Sequence, residues 1–141
     1  SLTIQPGNEE QELSCGDFAC GKITSTYPIS PHTGKREGDP ICDQYASVHF
    51  ENRTIAAVSD GCGWGQDSRE ASRRATKMYL AYLLRHQHQI KTLEDAARII
   101  LRSFYAAHKA IIHDRTPETI NFAGSTTMIA AIILELDQIH Q

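Results

Sequence analysis

The stretch that decides the fold is Ile55-Ala56-Ala57-Val58-Ser59-Asp60-Gly61-Cys62-Gly63-Trp64-Gly65, residues 55–65. Its apolar, partly β-branched first half predicts a strand that ends in one carboxylate, Asp60. Three glycines follow within five positions, and glycine lets a backbone turn tightly and approach a ligand closely. Small-residue turns after strands also occur for structural reasons alone. The stretch therefore makes Asp60 a candidate metal-binding or catalytic residue, with a plain structural turn as the alternative.

The residues before this stretch predict the other strand of a hairpin. Residues 43–50 alternate between two faces, and one of those faces begins with Asp43. Asp43 thus opens one strand and Asp60 closes the other, so antiparallel pairing brings both carboxylates to one end of the sheet. Two such carboxylates repel each other unless a cation or a proton neutralises them. Oxygen ligands of this kind suit Mg²⁺ or Mn²⁺.

Two helices and a third strand are predicted after the glycine-rich turn. The first helix spans residues 67–88 and begins at Asp67 or Ser68, and the second has Thr92 as its N-cap and ends near Asp114. The predicted core stripe of the second helix consists of Leu93, Ala97, Ile100, Leu101, Phe104, Ala107, Ile111 and Ile112. A long apolar strand follows residues 121–125.

This order of elements predicts an α+β fold, in which an antiparallel β-sheet carries a two-helix antiparallel hairpin on one face. The other face of the sheet is also apolar and needs a second layer. We expect residues 1–14, which are mostly polar, to form a flexible N-terminal segment, and residues 15–141 to belong to one domain.

Composition narrows the classes of partner. The net charge is −3 and no basic patch stands out, so we expect no nucleic-acid partner. No apolar run reaches the ~18–20 residues of a membrane span, and no signal sequence precedes the domain, so we expect a cytoplasmic or nuclear protein without a membrane partner. The four cysteines are expected to be free thiols, as is usual in a reducing compartment.

Three segments resemble motifs of the metal-dependent protein serine/threonine phosphatases of type 2C, in the same order and at similar spacing. Ile41-Cys42-Asp43 is similar to the first acidic motif of that family, and Val58-Ser59-Asp60-Gly61-Cys62-Gly63 is similar to its Asp-Gly-x-Gly motif. Ala123-Gly124-Ser125-Thr126-Thr127 resembles the Gly-Ser-Thr-Thr motif that opens a strand after two long helices. The resemblance covers residues 16–141 and implies half of an α-β-β-α sandwich.

The resemblance also implies a reaction and roles for individual residues. The family hydrolyses phosphoserine and phosphothreonine esters of protein substrates, using water activated by two Mn²⁺ or Mg²⁺ ions. Asp60 would bridge the ions, the carbonyl of Gly61 would bind one of them, and Asp43 would act beside them by orienting a coordinated water. Arg36 is the candidate for binding the phosphate.

Two substitutions and one missing part support a second hypothesis. Cys42 stands where the family often has Glu, and Cys62 stands where many members have a His that can protonate the leaving group. Further metal-binding aspartates of the family lie beyond the part that is matched here. We therefore expect little turnover from these 141 residues alone, with self-association through the exposed sheet face. The alternative function is a pseudophosphatase that binds a phosphoprotein or a kinase, and a small interaction domain is the third possibility.

Overall fold

The computed structural model describes the backbone of residues 2–4, 14–15 and 20–135, and the side chains of residues 21–135. The fold is α+β, as the sequence predicted. In chain order the strands and α-helices are β1 (Leu2–Ile4), β2 (Ser14–Cys15), β3 (Cys20–Gly21), β4 (Gln44–Phe50), β5 (Arg53–Gly61), α1 (Gln66–His86), α2 (Leu93–Ile112) and β6 (Thr126–Leu134).

The main sheet is antiparallel and has the strand order β1-β4-β5-β6, while β2 and β3 pair with each other. The predicted hairpin is confirmed: β4 and β5 pair in a register that places Gln44 opposite Ser59 and Phe50 opposite Arg53. Strand β6 pairs along the other side of β5, from Gly61 opposite Thr126 to Arg53 opposite Leu134. Strand β5 is therefore paired along both of its edges and lies inside the sheet.

The core lies between one face of this sheet and the helix pair. Every second residue of β5, beginning with Arg53 and Ile55, is buried on that face, and α1 covers it with Ala75, Tyr79 and Leu83. Helix α2 packs antiparallel along α1: Arg74, in the first half of α1, donates to the carbonyls of Ala110 and His113 at the end of α2. A two-helix hairpin on one face of the sheet is thus confirmed.

The helix boundaries agree with the sequence prediction within about two residues, but the predicted N-cap of α1 was wrong. Thr92 is the N-cap of α2, as predicted, and the structure shows that it forms a full capping box with Asp95. Helix α1 instead begins at Gln66 with Gly65 at the N-cap and has no side-chain cap, so neither Asp67 nor Ser68 holds that position.

The predicted core stripe of α2 was misplaced: of its eight residues Ala107 alone is buried, while Phe104 and Ile111 are partly buried against the core. Leu93 and Leu101 are 66% and 72% exposed, because α2 lies against α1 and only a narrow stripe of it faces a neighbour. The buried positions are Ala96, Ile99, Ser103 and Ala107.

The opposite face of the sheet carries exposed apolar side chains, as the sequence predicted. Val58 is 58% exposed, and on β6 Ile129 and Ile133 are 79% and 63% exposed. We call this surface the open face. One end of the open face lies next to Asp43 and Asp60.

The N-terminal prediction stays a prediction. Of residues 1–14, the structure describes Leu2–Ile4, which pairs with β4, and Ser14; residues 1 and 5–13 lie outside the described part. The boundary between a flexible segment and a domain at residues 14 and 15 therefore rests on the sequence.

Candidate metal and catalytic site

Asp43 and Asp60 lie side by side at one end of the sheet. Asp60 is in β5, and Asp43 directly precedes β4, whose first residue pairs with Ser59. Burial and the neighbouring carboxylate of Asp60, with which it shares a side-chain hydrogen bond, raise the pKa of Asp43. Part of this shift comes from repulsion between the two carboxylates, which the hairpin pattern predicted to lie at one end of the sheet.

The backbone at Asp60 is fixed by the segment that opens β6. The hydroxyl of Thr126 donates a 2.8 Å hydrogen bond to the carbonyl of Asp60, and the backbone N–H of Cys62 donates to the carbonyl of Ser125 at 2.8 Å. Residues distant in the sequence thus hold the carboxylate-bearing strand end in place, which gives the threonines of the Gly-Ser-Thr-Thr segment a structural role.

Two glycines let three segments meet behind the carboxylates. A Cβ atom at Gly61 would lie 2.6 Å from the backbone oxygen of Ser68 and 2.7 Å from the Cβ of Cys42. A Cβ at Gly124 would lie 2.2 Å from the backbone oxygen of Asp67, and the φ of Gly124 is +70°. Close packing against the start of α1 therefore excludes side chains at both positions.

Cys42 joins two backbone segments. Its thiol donates to the carbonyl of Pro40 at 3.2 Å and contacts the carbonyl of Gly65 at 3.6 Å, while the carbonyl of Cys42 accepts a hydrogen bond from the hydroxyl of Ser72. Partial burial, the largest cause, raises the pKa of this thiol, and the nearby Asp43 carboxylate adds to the effect. Cys42 is therefore a neutral packing residue that holds the segment before Asp43 against the glycine-rich loop.

Cys62 is exposed and unpaired with another cysteine. Its carbonyl accepts a 2.6 Å hydrogen bond from Ser68, and its sulfur lies 4.0 Å from the carbonyl oxygen of Asp60. The thiol is thus close to the candidate site.

Arg36 lies in the loop between β3 and β4. Its guanidinium donates a 2.6 Å hydrogen bond to the carbonyl of Tyr27, whose ring meets that of Trp64 edge to face with centroids 5.5 Å apart. Trp64 belongs to the glycine-rich loop after Asp60, so the loop of Arg36 is attached to the loop of the candidate site. The role of Arg36 in binding phosphate stays a prediction.

Carboxylate oxygens are the ligands that hard divalent cations prefer, and a bound cation would relieve the repulsion between the two carboxylates. Within residues that the structure describes, however, no group of three or more His, Cys, Asp or Glu side chains is placed to hold a metal. The described part of the chain therefore places two carboxylates and the backbone of Gly61 at one end of the sheet, and their role as metal ligands stays a prediction.

The family model for protein phosphatase 2C matches residues 33–139, about three quarters of the chain. The chain belongs to the protein phosphatase 2C family. The match covers Asp43, Asp60 and the Gly124–Thr127 segment, so the resemblance seen in the sequence is confirmed. Comparisons with curated proteins and with solved structures gave no significant match.

Several residues that shape this 2C-family site were not predicted. Ser68 and Ser72 are buried on the first turns of α1, where their hydroxyls bind carbonyls of the two loops that carry cysteines. A serine pair four residues apart at the start of a helix is a weak signal, because exposed serines are common there. Tyr27 lies in the irregular segment between β3 and β4, where no periodic pattern marks its position.

Neither helix in the described part of this 2C-family chain is long and apolar enough to cross a membrane.

Proposed function

We propose that the domain containing this chain is a protein serine/threonine phosphatase that hydrolyses phosphomonoesters with metal-activated water. The observation that carries the proposal is the pairing of Asp43 with Asp60 at the end of β5, within a sequence that belongs to the phosphatase 2C family. The substrates would be phosphoserine and phosphothreonine residues of proteins.

The chain's own residues would act as follows. Asp60 and the carbonyl of Gly61 would hold divalent cations, and Asp43 would orient a water molecule through its carboxylate. When bound, Mg²⁺ or Mn²⁺ would lower the pKa of that water toward neutrality. Arg36 would bind the phosphate, since a guanidinium can pair with two phosphate oxygens at once. Other ligands must complete a two-ion site, because the described residues provide two carboxylates there.

Phosphate release from a phosphothreonine peptide by the full-length protein in millimolar Mn²⁺ tests this function. We expect Asp60→Asn to reduce the rate by at least about a hundredfold, since it removes the carboxylate proposed to bridge the ions. Glu51→Gln is the matched control, because Glu51 is exposed in the turn at the opposite end of the same hairpin. Equal rates for the Asp60→Asn variant and the wild type would contradict the proposal.

The second candidate function is a pseudophosphatase that binds phosphoproteins or a kinase. The position of Cys42 favours it, because a neutral, half-buried thiol replaces a carboxylate beside the metal site and cannot help to hold a cation. Under this function the wild type and the Asp60→Asn variant would both fold, neither would release phosphate, and both would bind the phosphopeptide.

We also propose that, in the 141-residue chain, a second copy covers the open face. Val58, Ile129 and Ile133 form a contiguous apolar surface on the two strands β5 and β6. The acidic pair lies at one end of this surface, so two copies packed with their strands in opposite directions would bury the apolar side chains while keeping their carboxylates apart. The absence of nucleic-acid and membrane partners and a cytoplasmic or nuclear location stay predictions from the sequence.

A further inference from the structure

Two exposed aromatic side chains form a fixed surface beside the candidate site. Trp64 is 66% exposed and Tyr27 is 45% exposed, and their rings meet edge to face. We call this pair the aromatic shelf. The contact between the two rings buries only part of each of them, so both rings keep apolar surface that a ligand can cover.

The shelf is held by backbone contacts that fix Tyr27. The ring of Tyr27 lies against Gly38, where a Cβ atom would come within 2.6 Å of it. Its backbone carbonyl accepts the hydrogen bond from Arg36, and its N–H donates to the hydroxyl of Ser25 at 3.3 Å. Because these contacts already hold Tyr27, this residue loses less conformational entropy when a ligand covers it.

The shelf is within reach of a substrate bound at the carboxylates. Trp64 follows Asp60 by four residues, so their Cα atoms are at most about 14 Å apart, the length of about four extended residues. Arg36, the proposed phosphate-binding residue, is bonded directly to the backbone of Tyr27. One peptide could therefore contact the phosphate-binding residues and the shelf at the same time.

We propose that the aromatic shelf is a specificity-determining subsite for the protein substrate. It takes a bulky apolar side chain that lies within about four positions of the phosphorylated residue. The inference rests on the proposed function, because it assumes that a phosphorylated peptide binds at Asp43 and Asp60. Contacts between an aromatic ring and a bound aromatic side chain contribute binding free energy beyond that expected from the buried apolar area.

The test is peptide binding by the full-length wild-type protein in Mn²⁺, with peptides that cannot be hydrolysed. The probes are nine-residue peptides with a fluorescent label and a phosphonate analogue of phosphothreonine, in which one phenylalanine is moved through the positions on both sides of the analogue and all other residues are alanine. We expect at least one position to bind about tenfold more tightly than the all-alanine peptide, by fluorescence anisotropy.

Substitutions connect that preference to the shelf. Trp64→Ala should abolish the tenfold preference, and Trp64→Phe should retain most of it, whereas Tyr105→Ala should leave it unchanged. Tyr105 is a matched control, because it is an aromatic residue that is 64% exposed on α2. Thermal unfolding confirms that each variant is folded, and the proposal is overturned if a folded Trp64→Ala variant retains the preference.

Two further outcomes separate the subsite from the proposed function. Equal binding of the phenylalanine and all-alanine phosphonate peptides would overturn the proposal that the aromatic shelf is a subsite. The phosphatase proposal is tested separately, by the phosphate-release assay. Tight binding of the phenylalanine peptide with and without its phosphonate group, abolished by Trp64→Ala, would support an apolar subsite but contradict its dependence on a bound phosphate, and so overturn the proposal as stated.

Discussion

Substitution of Gly124 by alanine tests the packing that brings the Gly-Ser-Thr-Thr segment to the acidic strand end. Gly124 has φ +70°, and a Cβ would lie 2.2 Å from the backbone oxygen and 2.5 Å from the carbonyl carbon of Asp67. The left-handed backbone conformation costs an alanine about 1–2 kcal/mol. Displacing backbone atoms at the start of α1 costs about 1–3 kcal/mol more, because a peptide group cannot rotate away as a side chain can.

The expected loss for Gly124→Ala is therefore about 2–5 kcal/mol, a large share of the roughly 5–15 kcal/mol that stabilises a typical domain. Gly34→Ala is the matched control. Gly34 has φ +67° but no atom within 4 Å of its Cβ position, so the control measures the backbone cost alone.

Urea unfolding followed by circular dichroism measures both free energies of unfolding. We expect Gly34→Ala to lose about 1–2 kcal/mol and Gly124→Ala to lose clearly more, at an unchanged dependence on urea concentration. Equal losses for the two variants would refute the inferred contact between Gly124 and α1, and with it the packing reason for this glycine.

Three further predictions concern charge and surface. Because the fold raises the pKa of Asp43, its ionisation destabilises the folded state as pH rises above 3.8. Asp43→Asn should thus raise the free energy of unfolding by as much as about 1 kcal/mol at pH 7 and leave it unchanged at pH 3. An Asp43→Asn variant that is no more stable than the wild type at pH 7 would contradict this prediction. Hydrogen bonding to Arg73, the largest cause, lowers the pKa of Glu70 to about 2. Ionised Glu70 should therefore add under about 1 kcal/mol to the free energy of unfolding above pH 4.5, and this contribution should be lost as pH falls toward 2. Glu70→Gln should remove this pH dependence. A Glu70→Gln variant with the same urea unfolding curve as the wild type at pH 6 would contradict the prediction. Ile129→Lys should abolish self-association of the 141-residue chain in sedimentation velocity while Leu101→Lys, an equally exposed apolar position on α2, should not; equal effects would exclude the open face as the interface.

The sheet and the acidic pair could be predicted because their signals are local. Alternation in residues 43–50 and the apolar run ending at Asp60 fix which residues pair, and antiparallel pairing then places the two carboxylates together without further information. The cap at Thr92 is equally local, since its partner Asp95 is three residues away.

The packing around the site could not be predicted because it depends on contacts between distant segments. From the sequence, the glycine at position 61 was explained by a carbonyl that would bind a metal. The structure shows a second reason, because Ser68 and Cys42 leave no room for a side chain there. The contact of Tyr27 with Trp64 likewise depends on how a long loop folds back, which periodicity does not report. The buried stripe of α2 was misplaced because periodicity shows where the large apolar residues lie on a helix, whereas the side that packs against its neighbour carries the smaller Ala96, Ser103 and Ala107.

Binding of Mn²⁺ by this chain, measured from the loss of the free-ion signal in electron paramagnetic resonance, tests the central claim most directly. The claim is that Asp43 and Asp60 form one side of a divalent-cation site. We predict weak binding, with a Kd on the order of millimolar, which Asp60→Asn abolishes and Glu51→Gln leaves unchanged. Binding that is the same in the wild type and in both variants would contradict the claim.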